Sequence, residues 1–351
     1  MAARRAAVAA RHLSRRLLSS STSSSPAAAT PRLLGHFHNP IATDLPLLDR
    51  IPSDPVFQPL TASSPRLSLD FIPDAASGFS LFDSHQGLLL LLQGSELGPR
   101  FLVCDPVARR HALLPPPPTA AFWDGEFVGG ALLARAGAFD FDAVCLTVHV
   151  DRPRAWVASF RDGDFQQWLP MPRSRSVSIY WPPTWVEHRC VHAAGRLYWH
   201  ICNNASALAL DPATMEFSFL RAPAMVWEDF GGHIKYRVGE MPGDGRLCVA
   251  TLEADILRIC ARVKDCDAGW VMERNVSLGE LFYSVSDRPT FCPWLSDMDA
   301  GRTGRVFIRA PGYGHFAYNL ETGKLDHLRT DDGKDYGHPM FAYFAPDAGS
   351  D

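Results

Sequence analysis

Residues 195–223 read GRLYWHICNNASALALDPATMEFSFLRAP, and their pattern decides the fold class. A glycine opens a mostly apolar run, Leu197 to Ile201. A second run, Ala205 to Leu210, ends at Asp211. Pro212, Ala213 and Thr214 make a turn, and a third run from Phe217 closes on Leu220 and Pro223. Asp starts such a turn by accepting a bond from backbone just ahead of it, and Pro presets φ at the next position. Short apolar runs punctuated in this way are strands joined by tight turns.

The same plan recurs along the chain. It appears in FLVCDPVARRHALLPP (turn at Asp105), WVASFRDGDFQQWLPMP (Asp162), RICARVKDCDAGWVMER (Asp265) and HFAYNLETGKLDHLR (Asn319). With Asp211 in its place, successive turns lie 57, 49, 54 and 54 residues apart. A glycine before an apolar strand recurs as well, at Gly87, Gly195, Gly245 and Gly304. A period of about 50 residues holding about four strands is a propeller blade, which cannot bury both faces alone and must pack against neighbours around an axis. Residues 31–351 accommodate about six such blades. The expected fold is therefore all-β, a propeller of about six blades of about four antiparallel strands. Residues 31–83, where RLSLDF and FSLFDS are strand-like, supply the sixth blade, closed by the C-terminal FAYFAP. Trp168, Phe217 and Trp270 fall late in their blades, as residues packed between neighbours do. The one helix-like stretch after residue 20 is near Leu278 to Phe282.

Composition sets further bounds. The chain has 351 residues and a formal net charge of −4, with six arginines and no acid in residues 1–43. The remainder is distinctly acidic, which disfavours nucleic acid, since phosphate contacts need clustered Lys and Arg. No run approaches the roughly 18–20 apolar residues of a spanning helix, so no membrane role is expected. The eight cysteines form no C-x-x-C pair and mostly sit in apolar runs, where a thiol behaves as a small hydrophobe. Reduced thiols are expected.

Residues 1–30 are rich in Arg, Ala and Ser. On a helical wheel Arg4, Arg11 and Arg15 oppose Ala6, Ala10, Leu13 and Leu17, the pattern of an organelle transit peptide. The expected organisation is a transit-peptide-like or disordered leader over 1–30, a propeller over 31–345 and a disordered tail over 346–351. The location is mitochondrial if the leader acts, and otherwise cytoplasm or nucleus.

Four segments in order carry a family resemblance. Residues 195–223 resemble the central signature of plant F-box-associated β-propellers. DGRLCVATLEADILRICARVKDCDAGWVMER resembles the blade that follows, QGLLLLL with FLVCDPVARRHALLPPPP the opening blade, and LLGHFHNP with PRLSLDF the run leading into it in grass members. The resemblance implies a kelch-like propeller that binds partner proteins. In full-length members an F-box docks on the cullin–RING ligase adaptor while the propeller recruits substrate. Here only 30 residues precede the resemblance, too few for an F-box, so adaptor docking is doubtful. The implied role is a non-catalytic protein-interaction module with no cofactor and a partner of unknown identity. The alternatives are a mitochondrial propeller of unrelated role, or a propeller hydrolase with its site at the central channel.

In Glu187-His188-Arg189-Cys190-Val191-His192 a strand would set His188, Cys190 and His192 on one face, as zinc ligands require. No fourth ligand is indicated, and an ordinary inner strand is the plainer reading. His36 and His38 share that spacing but read as edge or loop residues. Asp331 to Asp335 reads as a solvated turn, and Gly312 to His315 as a turn rather than a phosphate cradle. Pro115 to Pro118 reads as a rigid linker. No G-x-S-x-G, H-E-x-x-H or Walker motif occurs. For partner binding the best candidate is RSRSVSIYWPPTW, through Arg173, Arg175, Tyr180, Trp181 and Trp185, since exposed Arg and aromatic residues dominate interfaces. The plainer reading packs these aromatics on the propeller rim. Met225 to Arg237 is a second insertion of this type.

Overall fold

The computed structural model describes residues 32–39, 54–73, 78–93, 99–118, 125–135, 139–202, 204–224, 226, 236–263, 269–285, 293–310, 314–331, 333, 336–337 and 340–345. The 1–30 leader, the 346–351 tail, the turn at Asp265 and most of 225–237 lie outside them.

The chain forms a six-bladed β-propeller. β1 (Leu33–His38) pairs antiparallel with β2 (Val56–Pro59) and belongs to the blade completed last. Blade 1 is β3 (Ser80–His85), β4 (Leu88–Gln93), β5 (Arg100–Asp105) and β6 (Arg110–Leu113). Blade 2 is β7 (Glu126–Ala134), β8 (Phe141–His149) and β9 (Arg152–Arg161), with β10 (Asp164–Phe165) and β11 (Leu169–Pro170) both on β9. Blade 3 is β12 (Val191–Ala193), β13 (Arg196–His200), β14 (Ser206–Asp211) and β15 (Glu216–Arg221). Blade 4 is β16 (Tyr236–Glu240), β17 (Leu247–Glu253), β18 (Ile256–Arg262) and β19 (Trp270–Ser277). Helix α1 (Leu278–Val285) leads to blade 5, which is β20 (Trp294–Asp299), β21 (Arg305–Ala310), β22 (Gly314–Asn319) and β23 (Leu325–Leu328), with the short α2 (Ala300–Thr303) after β20. β24 (Met340–Phe344) then pairs with β1 and closes blade 6 in the order β2-β1-β24.

Closure thus joins the chain's first and last described strands in one blade. β24 also contacts β3, and the Tyr343 hydroxyl donates to the Gly87 carbonyl at 2.8 Å. Two expectations need correcting here. RLSLDF (66–71) forms no strand, because it lies against the apolar core beneath β1 through Leu67, Leu69 and Phe71 without pairing. FSLFDS supplies the inner strand of blade 1 rather than part of the closing blade.

Three of the turns named from the sequence share one hydrogen-bond geometry, whereas Asp162 departs from it, standing at positive φ with Gly163 in a two-residue hairpin. The Asp105 carboxylate accepts from the Val107 and Ala108 N–H groups at 3.1 and 2.9 Å. Asp211 accepts from Ala213 and Thr214 at 2.8 and 3.3 Å, and the Asn319 side-chain oxygen from Glu321 and Thr322 at 2.8 and 2.9 Å. The glycines before the apolar strands are set by a different turn. Gln86-Gly87 and Ala194-Gly195 form two-residue hairpins with φ positive at both positions, where glycine in the second relieves the strain.

Buried apolar side chains fall into six clusters, one for each interface between adjacent blades. Trp168 and Phe217 lie in the blade 1–2 and 2–3 clusters, and Trp270 packs on the 3–4 cluster. The cluster between blades 5 and 6 is the smallest, built on Phe307, Ala317, Leu328, Tyr336 and Met340. Buried histidines occupy the rest of that interface. His36 packs edge-on to Phe307 at 5.8 Å, and the His38 ring lies 4.9 Å from Tyr336. His36 and His38 are therefore interior side chains, not edge residues, because β1 is covered on one side by β24 and on the other by β2. Among the described residues, no helix is long and apolar enough to cross a membrane. None of the six described cysteines forms a disulfide.

Candidate functional site at the central channel

The inner strands β3, β7, β12, β16, β20 and β24 surround the axis. All run the same way, so their C-terminal ends meet at one mouth. His85, Ala134, Ala193, Glu240, Asp299 and Phe344, each at such an end, line a cavity of about 640 Å³. Small residues make the room: Ala134, Ala193, Gly239, Ala300 and Gly301 stand where larger side chains would fill the mouth. Pockets of roughly 300–1,000 Å³ with convergent polar groups are where proteins take ligands.

Residues 187–192 cross the channel beneath this mouth. Their odd and even positions reach different blades. On the odd side, Glu187 accepts from Arg237 of blade 4 at 2.6 Å, and Arg189 donates to Asp297 of blade 5 at 2.8 Å. The Arg189 guanidinium also lies 5.3 Å from the Phe341 ring of blade 6. On the even side, the His188 carbonyl accepts from Gly130 N–H of blade 2 at 3.3 Å, and His192 Nε2 lies 2.9 Å from Asp83 Oδ2 of blade 1. One six-residue segment therefore contacts all five other blades. Its approach to β7 requires glycine: a Cβ on Gly129 would stand 2.6 Å from Trp199 Nε1 and 2.8 Å from the His188 carbonyl.

Asp83 and Asp297 occupy matching positions in LFDSH and LSDMD of β3 and β20, in blades 1 and 5, which flank blade 6 in the ring. A register shift precedes each, and each accepts a bond from the next residue's N–H, at 2.7 and 2.8 Å. A bulge re-aims the side chain that follows it. Here it aims both carboxylates across the axis.

The electrostatics follow from this pairing. Burial alone would raise the Asp83 carboxyl, but the His192 ring and the Leu132 N–H outweigh it and hold the carboxyl below its usual range. Burial likewise opposes ionisation of Glu187, and Arg237, His200 and Arg189 overcome it, so Glu187 stays well below its usual range. His200 Nε2 accepts from Val238 N–H at 3.0 Å, which leaves Nδ1–H to donate to Glu187 at 3.1 Å. Burial, then the neighbouring His192, lowers His85 to about 3. Its Nδ1 accepts from Ala134 N–H at 2.9 Å, and its ring stacks on His192 at 4.4 Å. Burial, then the Asp83 charge, pushes the Cys190 thiol well above the ordinary range.

The sequence singled out this segment, and the structure places its residues differently. Cys190 and His192 come together, with Sγ 3.7 Å from Nε2. His188 does not join them. Its ring stacks on Phe127, and its Nδ1 lies 2.9 Å from the Val128 carbonyl, because the segment bridges to β7 there before β12 begins. The carboxylate that completes the group, Asp83, lies 107 residues earlier than Cys190. Matching Leu-x-Asp motifs at inner-strand positions were the signal that could have found it.

The partner-binding residues named from sequence lie elsewhere. They belong to a strap, 171–190, at the opposite face, where the inner strands begin and Val186 bridges Ile201. Trp181 and Trp185 pack against the core between blades 2 and 3. Trp181 meets Phe219 edge-on at 6.1 Å. Tyr180 is 82% exposed, Arg175 is exposed and Arg173 is half-buried. None of the five lines the cavity. Pro115 is held by the Trp168 indole at 2.9 Å.

No family model matches the sequence, and no curated protein matches it. The fold resembles solved structures at low identity. The PQQ-bound aldose sugar dehydrogenase of Streptomyces coelicolor is 14% identical, with a TM-score of 0.40, over 74% of this chain and 83% of that one. The Cps50 (Swd1) β-propeller domain of Myceliophteria thermophila is 13% identical, with a TM-score of 0.40, over 74% of each chain. The GH93 α-L-arabinofuranosidase of Fusarium graminearum is 9% identical, with a TM-score of 0.42, over 74% and 84%. Likeness at this level carries no argument about function.

Proposed function

We propose that the propeller is a non-catalytic recognition module, resembling the substrate-recognition propellers of F-box proteins, that takes an acidic segment of a partner protein at the mouth where the inner strands end. The cavity of about 640 Å³ ringed by small residues carries this reading. Its charges favour an acidic ligand. The lining carboxylates are engaged: Asp142 by Arg161 at 2.6 Å, Asp299 by Arg302 at 3.0 Å, and Glu240 by the Ala194 N–H. Arg135 and Arg196 line the same cavity; Arg196 donates to the Ser218 hydroxyl at 3.3 Å and stands 3.9 Å from Asp211. Arg matches carboxylates with a planar fork of donors.

Turnover at the channel is the competing reading, and the buried groups favour it less. The Cys190 thiol is pushed away from the thiolate that attacks, and His85 is kept from protonation near neutral pH. The test is site-specific photocrosslinking from position 196 and from position 150, an 86% exposed residue at the opposite face. The proposal expects one discrete protein adduct from position 196 and not from 150. Adducts from 150 alone would overturn it.

A further inference from the structure

We propose that Asp83, Cys190 and His192 form a three-ligand site for a divalent transition-metal ion, with zinc the best match, whose fourth position faces the channel cavity. Three kinds of ligand atom converge from two blades. Asp83 Oδ2 lies 2.9 Å from His192 Nε2 and 3.4 Å from Cys190 Sγ, and Sγ lies 3.7 Å from Nε2. Tetrahedral zinc with bonds of about 2.0–2.3 Å to N, O and S sets its ligand atoms about 3.3–3.6 Å apart. The point equidistant from the three atoms lies about 2.0 Å from each, so an ion at zinc bond lengths rests just above their plane with one apex open.

A second observation is independent of those distances. All three residues line one small cavity of about 50 Å³, room for an ion and a water, each needing on the order of 10–15 Å³ by this measure. That cavity shares His192, Met298, Asp299 and Arg302 with the large cavity at the mouth, so the two adjoin. The first ligand is already oriented. Asp83 Oδ1 is fixed by the Ser84 N–H at 2.7 Å and Oδ2 by the Leu132 N–H at 2.8 Å, the supporting contacts that metal-binding carboxylates use. Thiolate, imidazole and carboxylate together select zinc among common divalent ions. Binding forms the metal–Sγ, metal–Nε2 and metal–Oδ2 bonds and releases the Cys190 thiol proton to solvent. The two anionic ligands then neutralise the ion.

Cobalt(II) is the probe, added to the reduced, chelator-treated full chain. The expected result is one cobalt per chain, with the strong visible absorption of four-coordinate cobalt and a thiolate-to-cobalt charge-transfer band that zinc abolishes. Cys190→Ser should lose the band and bind at least 100-fold more weakly. Asp83→Asn, which exchanges a charged ligand for a neutral amide, should weaken binding at least about tenfold. Cys202→Ser, at a half-buried thiol outside the group, should change neither. A wild-type spectrum without the charge-transfer band at saturating cobalt overturns the proposal, whatever the variants do. So does a band that persists in a folded Cys190→Ser protein. Neither readout depends on partner binding.

Discussion

Arg189 of blade 3 donates to Asp297 of blade 5 at 2.8 Å across the channel, and both side chains are largely buried. The pair ties two blades that are not neighbours in the ring. Burial opposes the charge on Arg189, yet Asp297 and Glu187 overcome it and keep the guanidinium ionised. Such a pair contributes little by existing and much by not being broken, since removing one partner strands the other charge.

Arg189→Met is therefore expected to cost about 3–5 kcal/mol in urea unfolding. In the Arg189→Met/Asp297→Asn double variant the loss should be non-additive by more than about 1 kcal/mol. Additive effects, or a single-variant cost below about 1 kcal/mol, would show that the channel crossing does not organise the ring.

Closure gives a second expectation. The Tyr343 hydroxyl is buried and donates to the Gly87 carbonyl of blade 1, so Tyr343→Phe removes that bond from a buried carbonyl. A loss of about 1–2 kcal/mol should appear in thermal unfolding, in line with an unmade buried hydrogen bond.

A third expectation concerns acid. Burial, then Arg305 and His38, lowers His36 to about 3, with Arg302 adding to the effect. Burial and then Arg309 lower His315 to about 4, with His38 and His327 adding and the Tyr336 backbone opposing. Both sit between blades 5 and 6. The unfolded chain takes up protons on them below about pH 6.5 while the folded chain does not, so stability is full above that pH and falls as pH drops toward 4. Each histidine should remove on the order of 1 kcal/mol per pH unit in that window. His36→Gln should flatten the slope between pH 6.5 and 4.5 in chemical denaturation.

Much of this was legible in the sequence, for definite reasons. Asp105, Asp211 and Asn319 recur at blade spacing because each must bond the same two N–H groups of the same turn, and that need is local. Blade number followed from it. The channel was legible only by halves. Cys190 and His192 share a strand face, which alternation reveals, but Asp83 reaches them only once the ring has closed. The cavity left no sequence signal, because its room comes from alanines and glycines at four of the six inner-strand ends. Trp181 and Trp185 look like interface aromatics by composition, and their packing on the core depends on where a strap folds back.

The leader reading leads to a separate expectation, since residues 1–30 carry the transit-peptide pattern. A full-length fusion tagged at its C-terminus should enter mitochondria, and one lacking residues 1–30 should stay in cytosol and nucleus. Equal distribution of the two would reduce the leader to a remnant.

The central claim is that the mouth ringed by the inner-strand ends recognises a partner. It is tested most directly by measuring, by calorimetry, the affinity of the crosslinked partner for the wild-type chain, Arg196→Glu and Val150→Glu. Reversing a charge inside the mouth should weaken binding at least tenfold, about 1.4 kcal/mol, while the change on the opposite face leaves it unaltered. Unchanged affinity for Arg196→Glu with a loss for Val150→Glu would contradict the account and move recognition to the face that carries Tyr180 and Arg175.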